Sequence, residues 1–119
     1  MKRPEEITKQ FLKELDKHML ELKKGTAEKA FEVQDIASLL HIHPTHLSNT
    51  IKEELKQSPC DIYESKLVAV AKDLILQTQL SIAEIARQLT FDPSNFSKFF
   101  KHFVGMTPLQ FRRLHQPKS

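Results

Sequence analysis

The feature that most constrains this chain is that it repeats itself. Slid along itself by 49 residues, so that Ile36 falls on Ile85, it also places Ala37, Leu40, Pro44, Ser48, Lys52 and Pro59 on Ala86, Leu89, Pro93, Ser97, Lys101 and Pro108, all identical. Conservative pairs fill the gaps: Ile42 on Phe91, Leu47 on Phe96, Ile51 on Phe100, Ser58 on Thr107 and Ile62 on Phe111. Self-similarity at one fixed offset means a single supersecondary unit built twice. Each copy reads as a short helix, a tight turn ending at a proline, and a longer helix. A small alanine in the first helix, with apolar residues further on in the second, lets the two helices cross closely, as in a helix-turn-helix.

The rest of the chain is equally helical in pattern. Glycine occurs only twice, at 25 and 105, and β-branched alternation is nearly absent. Pro4 with Glu5 and Glu6 reads as a helix first turn, and Ile7, Phe11, Leu15, Met19 and Leu22 form one apolar stripe ending before Gly25. Ser81 with Glu84 and Thr107 with Gln110 have capping-box spacing, and Ser58-Pro59 repeats that start with Asp61 at the third place. Cys60 to Gln77 reads as a connecting helix of about 25 Å, whose Ile62, Leu67, Val70, Ala71, Leu74 and Ile75 form a stripe wide enough to pack on both units. The expected fold is all-α: two helix-turn-helix subdomains joined by a long linker helix, about seven helices in all. The expected division is an N-terminal lead-in or linker helix over 1–29, a first unit over 30–59, the connecting helix over 60–79, a second unit over 80–115 and a tail over 116–119.

Size and composition narrow the function. At 119 residues the chain has room for one domain or two small lobes, and a chain of this length buries roughly 65% of its unfolded surface without needing disulfides or metal. One cysteine forms no internal bridge and supplies no thiolate zinc cluster, which suits a reducing, cytoplasmic setting. The longest wholly apolar run, Leu67 to Ala71, falls far short of the roughly 20 residues of a membrane-spanning helix, so no membrane association is expected. The net charge is +3, but residues 81–119 hold six basic and two acidic groups, making that third the part best suited to a polyanion.

The helical period separates the faces of each longer helix. Leu47, Ile51 and Leu55 point inward in the first copy, as Phe96, Phe100 and Val104 do in the second. The opposite face carries Thr45, Ser48, Asn49 and Lys52, with Ser94, Ser97, Lys98 and Lys101 as counterparts. Short hydroxyls let a helix approach base edges, asparagine suits adenine, and lysine suits guanine or a phosphate. An ordinary solvated face is the alternative for either helix alone. Duplication, and the absence of acids from these eight places, favour double-stranded DNA.

Other candidates give blander readings. His41, His43 and His46 lie in the turn, at a helix start and beside the reading face, and no cysteine or carboxylate completes a metal set. His18 and His115 read as surface residues. Cys60 has no partner base for nucleophilic chemistry and reads as inert packing. Phe99, Phe100 and Phe103 have the spacing of a core rather than of a base-stacking platform. No catalytic residue, cofactor or metal is expected, and the chain is not expected to be an enzyme.

Three strings carry a resemblance: Leu80-Ser81-Ile82-Ala83-Glu84-Ile85-Ala86, then Phe96-Ser97-Lys98-Phe99-Phe100-Lys101, then Gly105-Met106-Thr107-Pro108 followed by Phe111 and Arg112. Over about residues 30–114 the chain resembles the DNA-binding domain of the AraC-type (arabinose-regulator) transcription factors of bacteria. The resemblance implies two recognition helices inserted in adjacent major grooves. It assigns base reading to Thr45, His46, Ser48 and Asn49 and to Ser94, Asn95, Ser97 and Lys98, and phosphate contacts to Lys52 and Lys101. It also implies RNA polymerase as a partner and, since the family usually carries an N-terminal effector-binding or dimerisation domain, either a naturally short regulator or an excised C-terminal fragment. Thr90 and the Lys56-Gln57 pair stand where the family usually has glycine, and Lys66 where arginine is common. The alternative reading is a protein-interaction module on the same fold with an idle DNA face, supported by the modest charge and the acidic middle third.

Overall fold

The computed structural model describes residues 2–116. Its elements are seven helices: α1 (Pro4–Lys24), α2 (Val33–Leu39), α3 (Pro44–Leu55), α4 (Pro59–Gln77), α5 (Ile82–Gln88), α6 (Pro93–Val104) and α7 (Pro108–His115). Among the described residues there is no strand, and no helix is long and apolar enough to cross a membrane. The tail expected over 116–119 lies, beyond Gln116, outside the described residues.

The boundaries follow from local chemistry. Proline occupies the first turn of α1, α3, α4, α6 and α7, where its missing N–H would have had no intrahelical partner. Ser58, Ser81 and Thr107 accept hydrogen bonds from the N–H groups of Asp61, Glu84 and Gln110. Of these three, only Thr107 forms the reciprocal half of a capping box, its N–H donating to Gln110 Oε1 at 2.9 Å; Glu32 and Asp35 form a second complete box at the start of α2. Ser81 therefore caps α5 by one bond rather than the expected pair. α1 stops at Gly25, whose φ of 78° is left-handed. There the N–H groups of Gly25 and Thr26 bond back to Leu22 and Glu21 carbonyls, closing the helix in a Schellman turn.

The repeat extends to the backbone. After α2, His41 N–H bonds to Ser38 O and Ile42 N–H to Ala37 O; after α5, Thr90 N–H bonds to Arg87 O and Phe91 N–H to Ala86 O. After α3, Lys56 N–H bonds to Lys52 O, as Gly105 N–H does to Lys101 O after α6. His41, Thr90, Lys56 and Gly105 all have positive φ, at 58°, 69°, 60° and 87°. The left-handed geometry is thus kept at four equivalent places, only one of which is glycine.

The units differ in how they fill their cores. Leu47 and Ile51 of the first are buried with Phe11, Leu15 and Leu22 of α1, which packs on α3 and α4. The second has phenylalanines at the corresponding places, with ring centroids 5.1–6.0 Å apart from Phe91 through Phe96, Phe99 and Phe100 to Phe111. Larger rings supply there the volume that α1 supplies to the first unit. Phe103 does not join this core: 45% exposed, it flanks Phe99 and the edge of the His102 ring. The inward positions Leu55 and Val104, at the last turns of α3 and α6, are only half-buried.

His18 overturns its surface reading. It is 2% exposed, with its ring stacked on Phe31 at 3.9 Å. Its Nε2 accepts the Phe31 N–H at 3.2 Å and lies 3.1 Å from the Tyr63 hydroxyl. A backbone N–H can only donate, so Nε2 is unprotonated and the ring proton sits on Nδ1. His115 remains exposed. Cys60 is also exposed, so the expected packing role is wrong: it occupies the open first turn of α4, whose stripe faces the other way.

Candidate nucleic-acid interface

The longer helices begin alike, each with an extended N-cap followed by proline: His43-Pro44 for α3 and Asp92-Pro93 for α6. The cap side chains differ. His43 Nδ1 accepts the Thr45 N–H at 3.1 Å, so in the neutral ring its Nε2 carries the proton and remains a donor. In α6 the Ser94 hydroxyl donates to Asp92 Oδ2 at 2.6 Å. That bond, with the N–H groups of Ser94 and Asn95 and the charge of Arg87, holds the Asp92 carboxyl below the usual carboxylate range. Ser94 has spent its proton, and its oxygen presents only lone pairs outward.

From these starts the period delivers the expected faces. On α3, Thr45, His46, Asn49 and Lys52 are exposed and Ser48 is half-buried; on α6, Ser94, Asn95, Lys98 and Lys101 are exposed and Ser97 is half-buried. Leu47, Ile51, Phe96 and Phe100 beneath them are fully buried, so each face is carried on a locked core. The electrostatics diverge. One turn beyond Asn49, α3 carries Glu53 and Glu54, whereas α6 carries His102 at the place equivalent to Glu53 and has Lys101 and His102 in its last turn. With Lys98 and Lys101 against the single Asp92 at its N-cap, α6 presents a more positive surface than α3, whose Lys52 is opposed by Glu53 and Glu54.

Two residues, one at the site and one behind it, have roles that sequence reasoning did not disclose. Asp92 was passed over, although sliding the chain by 49 residues sets it on His43 and marks it as an N-cap. Arg112, carried only as part of a motif, points away from the reading faces: its Nε donates to Ile75 O at 3.0 Å and its guanidinium to Thr78 O at 3.4 Å, closing the end of α4. Among the described residues no group of three or more His, Cys, Asp or Glu side chains is placed to hold a metal.

Comparison with known proteins gives this architecture a family. Residues 36–114 match the family described as "Helix-turn-helix domain". The chain is 30% identical over 115 residues to YfiF, an uncharacterized HTH-type transcriptional regulator of Bacillus subtilis (strain 168), covering 97% of this chain and 35% of that protein. To the arabinose operon regulatory protein of Escherichia coli (strain K12) it is 30% identical over 87 residues, 72% of this chain and 30% of that one. It thus spans about a third of the length of these relatives. Among solved structures, the C-terminal domain of AraT, a response regulator from Geobacillus stearothermophilus, has a TM-score of 0.73 at 28% identity over 88% of each chain. The DNA-binding domain of the global transcriptional factor AdpA, solved with a target DNA, has a TM-score of 0.75 at 16% identity over 89% of this chain and 92% of that one, a likeness of fold. These relatives are transcription regulators rather than enzymes. The chain belongs to the AraC-type helix-turn-helix family, as a DNA-binding domain of a transcription regulator.

Proposed function

We propose that this domain binds double-stranded DNA sequence-specifically, with α3 and α6 in successive major grooves of an asymmetric site of about two helical turns. The observation that carries this reading is the paired construction of α3 and α6: equivalent starts, equivalent left-handed ends and exposed polar faces in register, each on a fully buried hydrophobic base. Thr45, His46, Ser48, Asn49, Ser94, Asn95, Ser97 and Lys98 read base edges, and Lys52 and Lys101 hold phosphates. Asn49 suits adenine, and Lys98 suits guanine. Bound beside a promoter, the domain acts on RNA polymerase by contact or by obstruction.

Selection of bound duplexes from a random pool, followed by sequencing, tests this reading. Enrichment of one asymmetric site with two conserved blocks about one helical turn apart is expected, with an affinity that falls steeply as salt displaces the counterion contribution. Absence of binding to any duplex at about micromolar protein in low salt, or enrichment of a single short block, overturns it.

A further inference from the structure

Beside the first reading helix lies a cleft of about 730 Å³, within the range of small-molecule sites. One wall is the Thr45, Ser48 and Asn49 face of α3; across from it stand Phe31 and Val33 at the entry to α2, and Tyr63 and Glu64 of α4. The aromatic wall is fixed in place, since Phe31 is stacked on buried His18 and Tyr63 bonds to the same ring. Glu32 and Glu64 bring two carboxylates to the lining against the single cation Lys52. Glu32 is occupied, accepting from Gln34 Nε2 at 2.8 Å. Glu64 is half-buried, and among the described residues it has neither an ion pair nor a side-chain hydrogen bond.

A carboxylate without a partner in a cleft also lined by Phe31 and Tyr63 attracts a cation by charge, and the rings add apolar surface for an aromatic ligand. Two carboxylates against one lysine make the lining a better match for a small cation than for a small anion. We infer that the cleft between α3 and the Tyr63–Glu64 turn of α4 is a binding site for a small aromatic cation, whose occupation excludes DNA from the first reading helix. The exclusion, but not the binding, rests on the function proposed above.

Tryptamine and indole-3-propionate, near-isosteres of opposite charge, serve as probes on the whole isotope-labelled chain without DNA. Tryptamine is expected to cause saturable NMR shifts centred on residues 31–34, 45–49 and 63–64, and indole-3-propionate is not. E64Q, which keeps the size of the side chain, should weaken tryptamine roughly fivefold or more, with circular dichroism unchanged. Equal binding of both probes, no saturable shift up to about 10 mM, or an E64Q variant that binds as well as the parent overturns the site. Adding tryptamine to a duplex titration should raise the apparent Kd. Ternary binding without competition overturns the exclusion alone, and a chain that binds tryptamine but no duplex refutes the DNA reading and leaves the cleft standing.

Discussion

Among single residues, the left-handed turns and the buried histidine make claims that can be measured. Thr90 sits at φ 69°, a conformation in which a side chain crowds the backbone at a cost of about 1–2 kcal/mol, and β-branching makes it worse. Its hydroxyl donates to Leu89 O at 2.6 Å, recovering part of that cost. Thr90→Gly is therefore expected to stabilise the chain by about 0.5–1 kcal/mol after the entropy of glycine is subtracted, read as a higher urea midpoint at unchanged slope; a lower midpoint would show that the hydroxyl outweighs the strain. His18 acts through pH. Burial depresses its pKa below the ordinary 6.5, against the opposing charges of Glu21 and Asp35, and protonation would also remove the acceptor used by the Phe31 N–H. The unfolded chain takes up this proton near 6.5 and the folded chain only at lower pH, so the unfolded state binds more protons in that window and stability falls as pH drops below about 6.5. His18→Gln keeps an acceptor but does not titrate. Its urea midpoint should change less between about pH 7 and pH 5 than that of the parent, and parallel curves would refute the assignment.

At the scale of elements, α3 and α6 share a backbone but not a charge, and their lysines should behave differently. Lys98 lies in the middle of the exposed α6 face, whereas Lys101 lies in the last turn. On the proposed roles, Lys98→Ala costs about 1–3 kcal/mol on the selected site and relaxes discrimination at one base pair. Lys101→Ala weakens selected and random duplexes alike and lowers the salt slope by about one unit. Equal losses on both duplexes for Lys98→Ala would contradict its reading role. Helix starts, the apolar stripes of α1 and α4 and the exposed polar faces of α3 and α6 were legible in the sequence, because proline, serine, glycine and a 3.6-residue period encode them within a few positions. His18, Cys60 and Phe103 were misread because their exposure depends on which distant segment covers them. Phe31 and Tyr63 enclose His18, and no local pattern announces either contact. Asp92 was missed for a different reason: its role shows only when the two copies are compared place by place.

Across the whole molecule, which measures 58 × 27 × 23 Å, the question is how firmly one unit is held to the other. α4 packs on α1 and α3 at one end and on α5 and α7 at the other. α1 runs beside it, tied by Lys66–Asp16 at 2.7 Å and Lys23–Asp73 at 3.3 Å. These are exposed or half-exposed pairs and contribute little each. The stronger ties are side chains satisfying helix-end carbonyls: Arg112 of α7 closes α4 through Ile75 O and Thr78 O, and Gln88 of α5 donates to Lys23 O at 2.8 Å, at the end of α1. α1, expected as a linker or lead-in helix, runs beside α4 and meets the second unit through Gln88. On the proposed function, two reading helices held this way tolerate one spacing of half-sites. Inserting about 5 base pairs between the two blocks of the selected site turns one to the opposite side of the duplex, and is expected to cost the parent chain tenfold or more in affinity, about 1.4 kcal/mol. The double variant Arg112→Ala, Gln88→Ala removes both ties while leaving the reading faces intact. With folding verified by circular dichroism, it should bind the uninterrupted site more weakly but lose less on insertion. If parent and variant respond to the insertion equally, the carbonyl ties do not set the angle between the units, and packing of α4 alone does.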